Sequence, residues 1–247
     1  MSHHIIEARD VWFSYPGGGY ALRGASFRIT HGEAVGIIGC NGAGKSTLLL
    51  HLNGYLAPSR GEIRIGDVPV TRQTVAAARR AVGLVFQNPD DQLFMPTVFE
   101  DVAFGPLNLG MSDAEVETRV VAALERVGMT HLRERPPHKL SAGEKHAVSI
   151  ATVLAMEPDV LVMDEPSSNL DPRARRRLIG LLRGFEHTRI VATHDLELVV
   201  EVCSKVMVME AGRIVAEGPT ADLLNDEDLM FAHGLERPHI LRHRHPH

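Results

Sequence analysis

Residues 34–47 read AVGIIGCNGAGKST, and the rest of the chain is best read outward from them. Ala34-Val35-Gly36-Ile37-Ile38 is a short, continuous apolar run, the pattern of a strand buried on both faces. It passes directly into Gly39-Cys40-Asn41-Gly42-Ala43-Gly44-Lys45-Ser46, which satisfies GxxxxGK[ST], and then into the helix-prone run STLLLHLNG. Strand, glycine-rich turn and helix are the context this motif needs to hold phosphate. Gly39, Asn41, Gly42 and Gly44 leave successive backbone N–H groups free to turn inward around phosphate oxygens. The start of the helix adds its positive dipole end. Lys45 is placed to reach the β- and γ-phosphates, Ser46 to ligate Mg²⁺, and Thr47 to add a further phosphate contact. ATP with Mg²⁺ is the expected ligand.

Three further apolar runs end in polar residues. Val160-Leu161-Val162-Met163 ends in Asp164-Glu165, AVGLVFQ ends in Gln87, and RIVATH ends in His194. Ligands of open α/β sheets lie at the carboxyl ends of strands, so all four elements are expected at one edge. There Asp164, with Ser46 and Gln87, suits Mg²⁺. Glu165 can take a proton from an attacking water, and the His194 imidazole can bond the γ-phosphate. The fold class implied is α/β, a phosphate-loop nucleotide-binding fold with a mixed sheet core.

The opening run IIEARDVWFSY and ALRGASFRI read as a hairpin around Pro16-Gly17-Gly18-Gly19 and, with GEIRIGD, give an antiparallel β subdomain. From about 88 to 158 helical spacing takes over, with Ser112 and Glu115 spaced as a capping box and a second helix from near Ser141. This is a helical subdomain inserted into a domain spanning 1–218. VMVMEAGRIVAEG reads as a closing hairpin, and residues 219–247 as a His-rich extension expected to be partly disordered.

Composition narrows the function. The 247 residues carry a net charge of -5, which argues against a nucleic-acid binder. No apolar run reaches membrane-spanning length, and MSHHIIEARD turns acidic too soon for a secretory signal. Two cysteines, Cys40 and Cys203, suit a reducing compartment. A cytoplasmic placement is expected, with any membrane role supplied through a partner.

Leu140-Ser141-Ala142-Gly143-Glu144-Lys145 resembles the LSGGQ signature of ATP-binding-cassette (ABC) ATPases. With the phosphate loop, Gln87, Asp164-Glu165, Ser168-Asn169-Leu170-Asp171 and His194, it completes that family's motif set in order, from Tyr15 to about Gly218. The resemblance implies a head-to-tail homodimer, each nucleotide lying between the phosphate loop of one copy and Ser141 and Gly143 of the other. It also implies that Tyr15 stacks on adenine. Ala142 and Glu144 depart from the consensus, adding a Cβ and a negative charge beside the bound phosphate.

Asn88-Pro89-Asp90-Asp91-Gln92-Leu93-Phe94 and TVFEDVAFGPLNLG are similar to the matching segment of energy-coupling-factor ATPases, above all the cobalt-type CbiO. That likeness implies an ATPase on the cytoplasmic face of the cell membrane. Its partners would be an integral membrane scaffold (T-type) subunit and a substrate-binding membrane subunit. Leu93, Phe94, Val98, Phe99, Val102 and Phe104 would form the contact with the scaffold. Cobalt is the leading substrate; a nickel or vitamin importer, or a non-transport ABC ATPase, is the alternative. No heptad run separates Lys45 from Ser141, which argues against the coiled-coil repair ATPases.

Three features stand outside this scheme. Cys40 sits in the phosphate loop, where a thiolate is favoured and alkylation would block ATP. Of 14 histidines the last five are His233, His239, His243, His245 and His247, a spacing that could bind Co²⁺ or Ni²⁺ or do nothing. Arg173, Arg175, Arg176 and Arg177 read as a solvated helix face, with a partner contact as the weaker option.

Overall fold

The computed structural model describes residues 4–242. In chain order the strands and helices are β1 (His4–Ser14), β2 (Tyr20–Thr30), β3 (Ala34–Ile38), α1 (Lys45–Leu52), β4 (Arg60–Ile65), β5 (Val68–Pro69), α2 (Val75–Ala81) and β6 (Val82–Val85). The insertion carries α3 (Val98–Asn108), α4 (Asp113–Val127) and α5 (Ala142–Leu154). Then come β7 (Val160–Asp164), α6 (Pro172–Arg183), β8 (Thr188–Ala192), α7 (Leu196–Val202), β9 (Lys205–Glu210) and β10 (Arg213–Pro219). The chain closes with α8 (Thr220–Asn225), α9 (Glu227–Ala232) and α10 (His239–Arg242).

Two sheets divide the work. β2-β1-β4-β5 is antiparallel throughout, and β10-β9-β3-β8-β7-β6 is mixed. β3, the strand before the phosphate loop, lies between β8 and β9 with every residue buried. That explains its unbroken apolar sequence, since neither face meets water. α1 packs between the sheets through Leu48, Leu49 and Leu52.

The parallel register sets the chemistry. Ile37 pairs with Ala192, Ala192 with Asp164, and Met163 with Val85. The residues following these strands therefore emerge along one edge, as the sequence implied. The insertion leaves and re-enters the sheet through adjacent strands, β6 and β7, so its helices form a lobe joined to the core at that edge.

α4 begins at the expected Ser112–Glu115 capping box, both halves of which are present. The extension carries helices that the sequence reading did not assign: α8, α9 and α10, which bury Leu223, Leu224, Met230 and Leu241 against the core. Apolar spacing in ADLLNDEDLM was the overlooked signal. His243, His245 and His247 lie outside the described residues, and among the described residues no three metal-ligating side chains cluster.

Candidate functional site

The phosphate loop bounds a cavity of about 210 Å³, lined by Ala21, Asn41, Gly42, Gly44, Lys45, Ser46, Thr47, Gln87 and Glu165. Two glycines fix its shape. Gly39 lies so close to the β9 backbone that a Cβ would stand 2.1 Å from the Met209 carbonyl oxygen. Gly44 caps α1 at φ 106°, a left-handed geometry that costs side-chain-bearing residues energy. Gly42 faces open space, where its backbone can approach an anion.

Lys45 is buried, and its Nζ donates to the carbonyls of Gly39 at 2.7 Å and Cys40 at 3.3 Å. The ammonium is thus held within the loop, with a third N–H to give. Ser46 stands close enough to the Asp164 carboxyl to stabilise its charged form. Asp164 Oδ1 is buried without a partner. Burial pushes this carboxyl above its ordinary range, Glu165 adds to that, and Ser46 and Lys45 oppose it. A desolvated carboxylate oxygen with an open lone pair, beside a serine hydroxyl, fits a hard divalent cation such as Mg²⁺.

Glu165 is turned to φ 47°, with its N–H bonded to the Ala192 carbonyl at 2.8 Å. A non-glycine residue in this region is uncommon, and strain of this kind gathers at functional positions. The turn carries the carboxylate under the β8 end. There Oε2 accepts from Thr193 Oγ1 at 2.8 Å and from the His194 amide at 3.3 Å. His194 Nδ1 stands 2.9 Å from the same oxygen while its ring is 69% exposed. Carboxylate and imidazole form one unit at the cavity edge, able to take up and pass on a proton.

Thr193 is buried and was not singled out from sequence. A hydroxyl closing an apolar strand just before His194 was the available signal.

Tyr15 is 44% exposed, and its hydroxyl meets Thr47 Oγ1 at 3.3 Å, placing an aromatic face beside the loop. Thr47 is buried and lines the cavity.

Ser141 and Gly143 do not join these residues. A second cavity, about 390 Å³, is lined by Leu140, Ala142, Lys145, His146, Ser168, Asn169 and the segment Gln87–Asp90. The two cavities share Gln87 alone. Ser141 caps α5, and Glu144 completes a capping box. Glu144 Oε2 accepts from both the Ser141 amide and its hydroxyl at 2.8 Å. These bonds, the backbone one first, hold the Glu144 carboxyl below its usual range. The extra negative charge expected beside an anion is therefore turned onto Ser141 itself.

Two links tie the segment around Gln87 to α5, and neither was evident from sequence. Gln92 Oε1 accepts from the Phe86 amide, while its Nε2 donates to the Ser149 carbonyl at 2.8 Å and Thr152 Oγ1 at 2.7 Å. Asp90 pairs with Lys145 at 2.5 Å.

The expected apolar contact surface is smaller than the sequence suggested. Leu93, Val98 and Val102 are core residues, and Phe99 lies partly buried beneath the Arg133 guanidinium, 4.4 Å from its ring centre. Phe94 and Phe104 remain outside, 63% and 43% exposed and packed edge to face, joined by Leu107 at 51%. Of the arginine run, Arg175 is only partly exposed and pairs with Asp195 and Glu201.

The sequence model of the ABC transporter family matches residues 22–168. The chain belongs to that family. A Geobacter sulfurreducens protein described as an ABC transporter ATP-binding protein is 61% identical over 96% of both chains. The energy-coupling factor transporter ATP-binding protein EcfA of Methanocaldococcus jannaschii is 46% identical, over 96% of this chain and 87% of its own. The solved cbiO1 of Clostridium perfringens, part of the ABC transporter complex cbiONQ, superposes with a TM-score of 0.82. It is 38% identical, with 98% of each chain covered. The cassette is thus of the energy-coupling-factor type, resembling CbiO, and ATP binding is the family's property. Among the described residues no helix is long and apolar enough to cross a membrane.

Proposed function

We propose that this chain is the ATP-hydrolysing subunit of an energy-coupling-factor importer for cobalt ions. It would work as a homodimer on the cytoplasmic face of the membrane, beneath a T-type scaffold and a substrate-binding subunit. The observation that carries this reading is the path of one segment. Gln87 lines the nucleotide cavity, and the same segment leads to the exposed Phe94, Phe104 and Leu107. A change at the γ-phosphate can thereby reach an apolar surface suited to a membrane subunit's helix. The ground for cobalt over the nickel and vitamin alternatives is the resemblance of Asn88–Phe94 and the segment after it to cobalt-type CbiO.

In the proposed mechanism Tyr15 stacks on adenine, while Lys45, Thr47 and the backbone of Gly39, Asn41, Gly42 and Gly44 hold the phosphates. Ser46 and Asp164, with Gln87, would hold Mg²⁺, which neutralises charge on the β- and γ-phosphate oxygens. Glu165 takes the proton of the attacking water as its oxygen bonds to the γ-phosphorus and the bond to the β-phosphate oxygen breaks. His194 keeps Glu165 and the water in line. Ser141 and the Gly143 amide close the site of a second copy from a helix N-terminus. That neither Ser141 nor Gly143 lines the cavity of the chain's own phosphate loop supports this.

The test is a pull-down of the Glu165→Gln protein from native membranes with MgATP, with mass spectrometry and elemental analysis of the captured complex. A small membrane scaffold plus a subunit carrying Co²⁺ is the expected result. Absence of any membrane partner would overturn the transport reading.

A further inference from the structure

The phosphate loop is braced from outside by two later parts of the chain. On one side is the β9–β10 turn, where the Gly212 amide donates to the Ala43 carbonyl at 2.9 Å. On the other is the turn after α9. Cys40 Sγ points out of the loop at the carbonyls of His233 (3.8 Å) and Gly234 (3.6 Å). A Cβ added at Gly234 would stand 3.2 Å from that sulfur, and the glycine's φ of +69° disfavours any side chain there. The two braces are joined, because His233 Nδ1 lies 2.8 Å from Glu210 Oε2 at the end of β9. α9 and α10 are anchored in turn by buried Met230 and Leu241.

Cys40 is well placed to pass this support inward. Its carbonyl accepts from the Ala43 amide at 3.1 Å and from Lys45 Nζ at 3.3 Å. Side chain and carbonyl of one residue thus face the extension and the ammonium respectively. A loop held open in advance does not lose that freedom when phosphate binds, and such preorganisation appears as affinity.

We propose that the C-terminal extension is a working part of the nucleotide site, its His233–Gly234 turn acting as a positioning element that holds the phosphate loop through Cys40. This rests on the reading that the loop binds ATP. It assigns His233, Glu210 and Gly234 to ATP affinity rather than to chemistry. It also makes any displacement of α8–α10 a means of lowering affinity without touching Glu165.

The test uses full-length His233→Ala and, separately, Glu210→Gln. Two readouts are taken: the rate at which a thiol reagent modifies Cys40, and KM for ATP against kcat. Cys203 is buried and its thiol is pushed up to about 12 by burial, so thiol chemistry reports Cys40 alone. Both variants should raise the modification rate and raise KM by about three- to tenfold, the worth of one net hydrogen bond, with kcat within about twofold. Because Cys40 reactivity is read without nucleotide, it separates this inference from the ATP reading. Faster modification with unchanged KM would overturn the positioning role, and unchanged modification in both variants would overturn the contact. If the unsubstituted protein bound no MgATP, the ATP reading and the positioning role would fall together, while faster modification would still establish the brace.

Discussion

The two anion cradles of this chain are built from similar parts and left in opposite states. In the phosphate loop the Lys45 ammonium keeps one N–H beyond the two given to loop carbonyls. Lys45 is buried and pinned by two carbonyls, and Asp164 keeps one buried oxygen open beside Ser46. At the start of α5 the donors are spent at home, since Ser141 gives both its amide and its hydroxyl to Glu144. The first cradle can accept a nucleotide as it stands. The second must exchange an internal carboxylate for a phosphate of the same charge sign. On the proposed dimer, nucleotide therefore binds one copy first, and closure by the second is the step with an internal competitor.

The largest effects should break the first cradle. Lys45→Ala removes the loop's cation, and Glu165→Gln removes the proton acceptor. Each should lower kcat by about 10²-fold or more. The first should also weaken ATP binding in a fluorescent-nucleotide titration, and the second should not.

A smaller effect sharpens the contrast between cradles. In the Glu165→Gln background, Ser141→Ala should weaken ATP-dependent dimerisation by about tenfold or more without changing ATP binding to the monomer. Both are readable by sedimentation and titration.

Two pH effects follow. Mg²⁺ and protons compete for Asp164, whose pKa is raised by burial. MgATP affinity should therefore begin to fall, as pH drops, above the ordinary carboxylate range, and Asp164→Asn should abolish that dependence. His146, on α5, is buried and held down to about 4, below its usual 6.5. A depressed histidine is neutral in the fold and charged when unfolded between those values, so stability is lost as pH falls from 6.5 to about 4. His146→Phe should flatten that stretch of the pH–Tm profile, by about 1–3 kcal/mol at its acid end.

Much of the fold was legible because it rests on short-range pattern. The apolar runs Ala34–Ile38 of β3, Val160–Met163 of β7 and Ile190–Ala192 of β8 announce strands covered on both faces, and the Ser112 and Ser141 caps are local chemistry. The edge-wise gathering of Gln87, Asp164, Glu165 and His194 follows from parallel pairing and could be argued from strand ends. The remainder depended on packing. Nothing in VFEDVAF tells Val98 and Val102, which face the core, from Phe104, which does not, until α4 and α5 are in place. Gln92 and Thr193 act through contacts to residues 57 and 28 positions away, beyond the reach of spacing arguments. The helices of the extension were missed because its histidines drew attention from Leu223, Leu224 and Met230.

The central claim, that each nucleotide is closed by a second copy, is tested most directly by mixing two defective proteins. Lys45→Ala and Ser141→Ala, each in the Glu165→Gln background and labelled at the N-terminus with a donor or an acceptor fluorophore, should not self-associate with MgATP. Mixed, they form one pairing in which an intact phosphate loop faces an intact signature, so energy transfer should appear on adding MgATP and vanish on its removal. If the mixture stays as dark as either protein alone, the two cradles do not meet across a dimer and the account is wrong.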